Sequence, residues 1–246
     1  MSQSGALYLP GGSSSHAAGG RPVEAFSTAF PSEGCQIRVD VHRPKAAPNS
    51  PGLLFYHGSC GIDPYDGCIR GFAEAAADRG FTALIVHYFD RTGTTSANMA
   101  TVLRHSERWI SAVSDAVTFA SADLAVDPER VAAVGYSLGG FLAVAHAARD
   151  QRIRANVVIS GGIDPFTARS VKRLPPTWVI HGEDDVRVPL QKAVQLCEAL
   201  EKLHVPVHSR FLPGEGHVLS AEGTAGALTS AFEFLSEHLQ PRLARV

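Results

Sequence analysis

The stretch VAAVGYSLGGFLAVAHAA, residues 131–148, constrains the fold more than any other part of the chain. A short apolar run rich in valine ends at Gly135, and an alanine-rich run with helical composition resumes just after Ser137. A chain that passes from strand to helix in so few residues brings backbone close to backbone. Gly135, Gly139 and Gly140 keep side chains out of that approach. Such a unit belongs in a sheet whose strands are linked by helices.

The flanking sequence repeats the rhythm. QIRVDVHRP alternates with period two, while GLLFYH and FTALIVHYF are continuous apolar runs of the kind buried on both faces of a parallel sheet. Between them, residues 69–79 read as a helix stopped by Gly80. Residues 99–121 place Val102, Trp109, Ile110, Val113, Ala116 and Val117 on one helical stripe. VDPERVAAVG then reads as a turn followed by a short strand. ANVVIS, PPTWVIHG and VPVHSRFLP supply three more strands, with helices expected over 189–203 and 225–239. The pattern predicts an α/β fold: a mostly parallel twisted sheet with helices on both faces, spanning 23–246 as one domain. Residues 1–22, with PGGSSSHAAGG, read as a flexible leader.

In such sheets chemistry gathers at the carboxyl ends of the strands. GYSLG is a G-x-S-x-G turn, which forces its serine into a strained, exposed position and makes Ser137 a candidate nucleophile. A serine hydroxyl needs a base to take its proton, and the base needs an acid to orient it. HGEDDVRVP places Asp184 and Asp185 after one later strand, and PGEGHVLS places His217 after the next. Asp164 is a more remote acid candidate. YHGSCG follows an early strand, so the backbone N–H of Ser59 or Cys60, together with that of Leu138, is placed to receive a developing oxyanion. His57 is expected to organise that turn. Tyr88, Phe89 and Arg91 lie just past a central strand and are expected to wall a substrate pocket, although a solvated surface role for Arg91 is the blander reading. His181 is read as part of the acid-loop turn.

The order serine, acid, histidine, with GYSLGG, HGEDDVRVP and GEGHVLS around them, resembles the α/β-hydrolase superfamily, in particular its dienelactone hydrolase-like branch, over about residues 35–240. The resemblance implies the α/β-hydrolase fold, with Ser137 as nucleophile, Asp185 as acid and His217 as base. The chain departs from dienelactone hydrolases proper, which carry a cysteine nucleophile and a glutamate after the early strand. Here position 137 is serine and FYHGSCG holds no glutamate. An ordinary serine-esterase mechanism acting on small esters or lactones is therefore the expectation. A catalytically silent scaffold for a small ligand or protein partner, and a small-peptide or amide hydrolase, are the alternatives.

About fifteen residues separate ANVVIS from PPTWVIHG, too few for a large cap domain, so the site is expected to be open. A net charge of -2 gives no electrostatic reason to bind nucleic acid or acidic lipid. No apolar run long enough to span a membrane and no secretory signal pattern is present, which points to the cytoplasm. Cys35, Cys60, Cys68 and Cys197 lack zinc-ligand spacing, Pro206 interrupts His204 and His208, and neither metal nor cofactor is expected. Free thiols are the default, with a Cys60–Cys68 disulfide the one conceivable pairing.

Overall fold

The computed structural model describes residues 22–45, 48–62 and 66–241. Its centre is an eight-stranded sheet: β1 (Val23–Ser32), β2 (Cys35–Pro44), β3 (Ser50–Tyr56), β4 (Thr82–Val86), β5 (Val126–Tyr136), β6 (Ile153–Ile159), β7 (Thr177–Gly182) and β8 (Val207–Leu212), in the order β1-β2-β4-β3-β5-β6-β7-β8. β1 and β2 form an antiparallel hairpin, and β2 runs antiparallel to β4. All pairs from β4 across to β8 are parallel. Six parallel strands therefore release their loops at one edge, and the expected α/β-hydrolase architecture is what the chain adopts.

The helices are α1 (Asp66–Asp78), α2 (Met99–Asp123), α3 (Leu138–Arg149), α4 (Pro165–Ser170), α5 (Gln191–Lys202) and α6 (Ala221–His238). α2 and α3 cover one face, where Trp109, Val113 and Val117 meet Tyr56, Leu84 and Val131. On the other face, α1 and α6 bring Phe72, Ala76, Phe232 and Leu235 against Phe55, Ile85 and Val157. This two-sided burial explains why β3 and β4 read as unbroken apolar runs. α5 joins α3 in a third cluster built on Leu196, Leu200, Val158 and Val179.

Gly80 ends α1 as expected: its φ is +94°, and Phe81 N–H donates to Ala76 O at 3.1 Å, closing the helix end. The DPER turn, however, lies inside β5, where the register against β3 shifts between Ser50 and Gly52. Only the six-residue α4 stands between β6 and β7, so among the described residues no cap domain is inserted there. The leader expected over residues 1–22 falls outside the described residues except for Pro22.

Candidate active site

Ser137 sits between the last residue of β5 and the first of α3, with φ +53° and ψ −120°. An L-residue in that region costs about 1–3 kcal/mol, so the surrounding structure must hold it there. Ser137 N–H donates to Ile159 O at 2.9 Å, and its carbonyl accepts from Gly140 N–H at 2.9 Å. The glycines make the turn possible by close approach. A Cβ on Gly135 would overlap the Gly139 carbonyl, and one on Gly139 would overlap the carbonyl of Tyr56 at the end of β3. The elbow is thereby pressed against the start of the HGSC loop. A Cβ on Gly58 would lie 3.4 Å from Ser137 Cβ, which places that loop directly beside the serine.

His217 follows β8 and Asp185 follows β7. The two loops touch along their backbones: Asp184 N–H donates to Glu215 O at 2.9 Å, and any Cβ at Gly182 would overlap the carbonyls of Glu215 and Gly216. Held this way, His217 Nδ1 lies 2.7 Å from Asp185 Oδ2, and Nε2 lies 2.9 Å from Ser137 Oγ. An ionised carboxylate only accepts, so Nδ1 carries the proton and Nε2 presents its lone pair to the serine hydroxyl. Asp185 Oδ1 accepts from the N–H groups of Arg187 and Val188, both at 2.8 Å, which fixes the carboxylate plane. All three residues are nearly buried, at 7% exposure for Ser137, 6% for Asp185 and 9% for His217.

Asp184, by contrast, is exposed, and Asp164 caps α4, accepting from Phe166 N–H at 2.9 Å and Thr167 N–H at 3.0 Å. Of the three acids, the structure brings only Asp185 to the histidine.

The loop of the expected oxyanion donors is supported from below. His57 is buried, and its Nδ1 donates to Gly58 O at 2.8 Å. Burial lowers its pKa to about 4, so it is neutral at ordinary pH. Its ring stacks on Tyr88 at 4.1 Å, and Phe89 meets it edge-on. Ser59 O accepts from Ala97 N–H at 2.8 Å, and Leu138 opens α3, so its amide belongs to the helix N-terminus.

Tyr88, Phe89 and Arg91 require a correction. They belong to a 3-10 turn, Tyr88–Thr92, that folds its side chains inward. Tyr88 is fully buried with its hydroxyl donating to His57 O at 2.7 Å, and Phe89 packs on Trp109. Arg91 is 5% exposed and pairs with Glu33 in the β1–β2 turn, with Cys35 Sγ beside it. Tyr88 and Phe89 are the foundation of the HGSC loop and Arg91 ties the turn to the β1–β2 hairpin, so they form neither a pocket wall nor a solvated arginine.

His181 acquires a larger part than the sequence reading gave it. It is fully buried, and its Nε2 donates to Val188 O at 2.8 Å while lying 3.3 Å from Asp185 Oδ2. The signal was its place four residues before the acid in HGEDD. Cys35, Cys60 and Cys197 are free thiols, and the side chain of Cys68 is outside those described. Among the described residues no group of three or more His, Cys, Asp or Glu side chains could hold a metal ion, and no helix is long and apolar enough to cross a membrane.

A serine elbow after β5, an acid after β7 and a histidine after β8 of a mostly parallel eight-stranded sheet define an α/β-hydrolase. Residues 37–236 match the dienelactone hydrolase family, and the chain belongs to that family. No curated protein is similar enough in sequence to match it. Among solved structures, a Klebsiella pneumoniae protein described as a dienelactone hydrolase superposes with a TM-score of 0.75 at 16% identity, covering 88% of this chain and 100% of its own. A dienelactone hydrolase-like promiscuous phosphotriesterase from metagenomic libraries also gives 0.75, at 19% identity over 89% of this chain and 99% of its own. The Pyrococcus horikoshii acylaminoacyl peptidase gives 0.72 at 16% identity, over 91% of this chain but 43% of its own. At these identities the likeness concerns the fold alone.

Proposed function

We propose that the protein is a serine hydrolase that cleaves small carboxylic esters or lactones through an acyl-enzyme. The observation that carries this reading is the unbroken chain from Ser137 Oγ through His217 to Asp185, with links of 2.9 and 2.7 Å, at a strained elbow. As Oγ attacks the carbonyl carbon, His217 Nε2 takes its proton and the carbonyl π pair moves onto oxygen. The resulting oxyanion lies against the N–H of Leu138 and that of Ser59 or Cys60. One such donor contributes about 2.7–4 kcal/mol to the transition state. Collapse breaks the bond to the alcohol, which leaves with the proton held on His217. Water then follows the same route: His217 takes its proton, the acyl–Oγ bond breaks, and Ser137 recovers its hydrogen as the acid departs. Asp185 stabilises the imidazolium in both halves.

An open approach supports small soluble substrates, since α4 is the only helix between β6 and β7. A cytoplasmic location belongs to the same reading and is supported by the free thiols. Replacing Ser137 with alanine leaves the fold intact, lowers nitrophenyl-ester turnover by about 10⁴-fold or more, and removes covalent labelling by a fluorophosphonate. Undiminished turnover in that variant, or failure of the native protein to label, refutes the proposal.

A further inference from the structure

An apolar cavity of about 80 Å³ lies behind the elbow. Gly135 and Tyr136 form one wall of it, and Leu219, two residues beyond His217, forms another. The far side is made by Phe72 of α1 with Ala227 and Leu228 of α6. None of its lining residues is charged, and the hydroxyl of Thr224, which also borders it, is turned toward the carbonyl of Leu219 at 3.5 Å. Protein interiors are close-packed, and an unfilled void lowers stability. A void of this size in contact with two of the three loops that bear Ser137, Asp185 and His217 has a use if a substrate group fills it.

Tyr136 borders both the cavity and the catalytic histidine. Its ring lies 5.4 Å from the His217 ring, and its hydroxyl donates to His217 O at 3.2 Å. It also lies beside Gly58, whose Cβ, if present, would be 3.4 Å from the Tyr136 ring and 3.4 Å from Ser137 Cβ. Tyr136 and Ser137 are adjacent in the chain, with Cα atoms about 3.8 Å apart, so a cavity bordered by Tyr136 lies only a few carbons' length from an acyl carbon on Ser137. A water-sized group needs only about 10–15 Å³ measured in this way, so the cavity accepts several more methylenes.

We infer that this cavity is the acyl-chain site of the hydrolase, and that the substrates are esters of unbranched apolar acids of about six carbons. The inference rests on the serine-hydrolase reading above. An uncharged lining offers nothing to an anionic acyl group, whose desolvation would go uncompensated. A chain of methylenes, in contrast, gains by leaving water.

The test compares kcat/KM for nitrophenyl acetate, butyrate, hexanoate and octanoate, and for the isomeric pair hexyl acetate and ethyl hexanoate. The native enzyme is expected to favour hexanoate over acetate by tenfold or more, and ethyl hexanoate over hexyl acetate. In Leu228→Phe, which fills the cavity, the hexanoate-to-acetate ratio falls at least tenfold. In Leu228→Ala, which enlarges it, the optimum moves to octanoate. Should either variant fail to fold, inactivation of the native enzyme by hexyl against methyl fluorophosphonates reads the same preference. An unchanged chain-length profile in the variants, equal inactivation rates for the two probes, or a preference that follows the alcohol overturns the inference. Ser137→Ala separates the two claims: if it abolishes turnover while the profile stays flat, the triad stands and the acyl site falls.

Discussion

At the scale of single residues, the site depends on side chains whose partners are set by direction as much as by distance. Asp185 uses both carboxylate oxygens: Oδ1 toward two backbone amides, and Oδ2 toward His217, with His181 at 3.3 Å. Because Val188 O can only accept, His181 Nε2 carries the proton and donates it to that carbonyl, which holds Val188, whose own N–H donates to Asp185 Oδ1. His181 is thus a positioning residue for Asp185. A hydrogen bond of this neutral kind contributes about 0.5–1.5 kcal/mol, so His181→Leu should lower kcat by about 2- to 10-fold with little change in KM. His181→Gln keeps a donor at similar reach and should recover most of the loss. Rates are to be normalised to fluorophosphonate-titrated sites, which removes any effect of misfolded protein; full kcat in His181→Leu would show that it only packs. Ser137, Asp185 and His217 were legible because G-x-S-x-G and the glycine-flanked loops impose backbone shapes that local sequence encodes. The work of His181 was not, since it depends on which way a buried imidazole donates.

Among the elements, the parallel strands were legible because burial on both faces leaves no room for polar residues. β1 was not read at all: it is an edge strand of a hairpin, with alternately exposed residues and a two-residue Glu33–Gly34 turn at φ +40° and +83°. α6 begins at Ala221, four residues before the expected start, because Ser220 caps it by accepting from Gly223 N–H at 3.0 Å. The glycines at 223 and 226 had hidden that first turn. Tyr88, Phe89 and Arg91 were misplaced because a 3-10 turn reverses their direction within one turn of chain. The joint between the loops after β7 and β8 belongs to this scale. Gly182 lies where a Cβ would overlap two backbone carbonyls of the His217 loop, and backbone cannot move aside as a flexible side chain can. Gly182→Ala should therefore separate the loops, at about 1–3 kcal/mol in stability. It should also lower kcat/KM at least a hundredfold, since a displacement near 1 Å costs about that much. Urea unfolding together with ester kinetics tests this; native-like kinetics would mean that the loops are not locked at Gly182.

Across the whole molecule, a second hydroxyl–histidine–carboxylate chain supports the first from inside the fold. Tyr56, at the end of β3, has its hydroxyl 2.9 Å from His146 Nδ1, and His146 Nε2 lies 3.2 Å from Asp150, which Arg152 holds with several further hydrogen bonds. The same proton logic gives the opposite tautomer to that of His217: Nε2 carries the hydrogen, and Tyr56 donates to Nδ1. Because the Tyr56 carbonyl abuts Gly139, this chain ties α3 and the sheet together just beneath the elbow. Its acid dependence follows from two depressed pKa values. Burial alone would raise that of Asp150, but hydrogen bonds from His146 and Arg152 outweigh it and hold the value below the ordinary 3.8. For His146, burial dominates and keeps the value below 6.5 despite the Asp150 contact. In both cases the unfolded chain binds protons that the folded one refuses, so stability is lost as pH falls: first below about 6.5 through His146, then below about 3.8 through Asp150. Asp150→Asn removes the second contribution and takes from Arg152 and His146 the carboxylate that both of them bond. Urea midpoints at pH 7, 5 and 3.5 should show native protein well above the variant at neutral pH, with the gap narrowing only below about pH 4. A gap that stays constant to the lowest pH would mean that the Asp150 carboxylate is no more stabilised in the folded protein than in the unfolded chain, and that the tie beneath the elbow is held by packing alone.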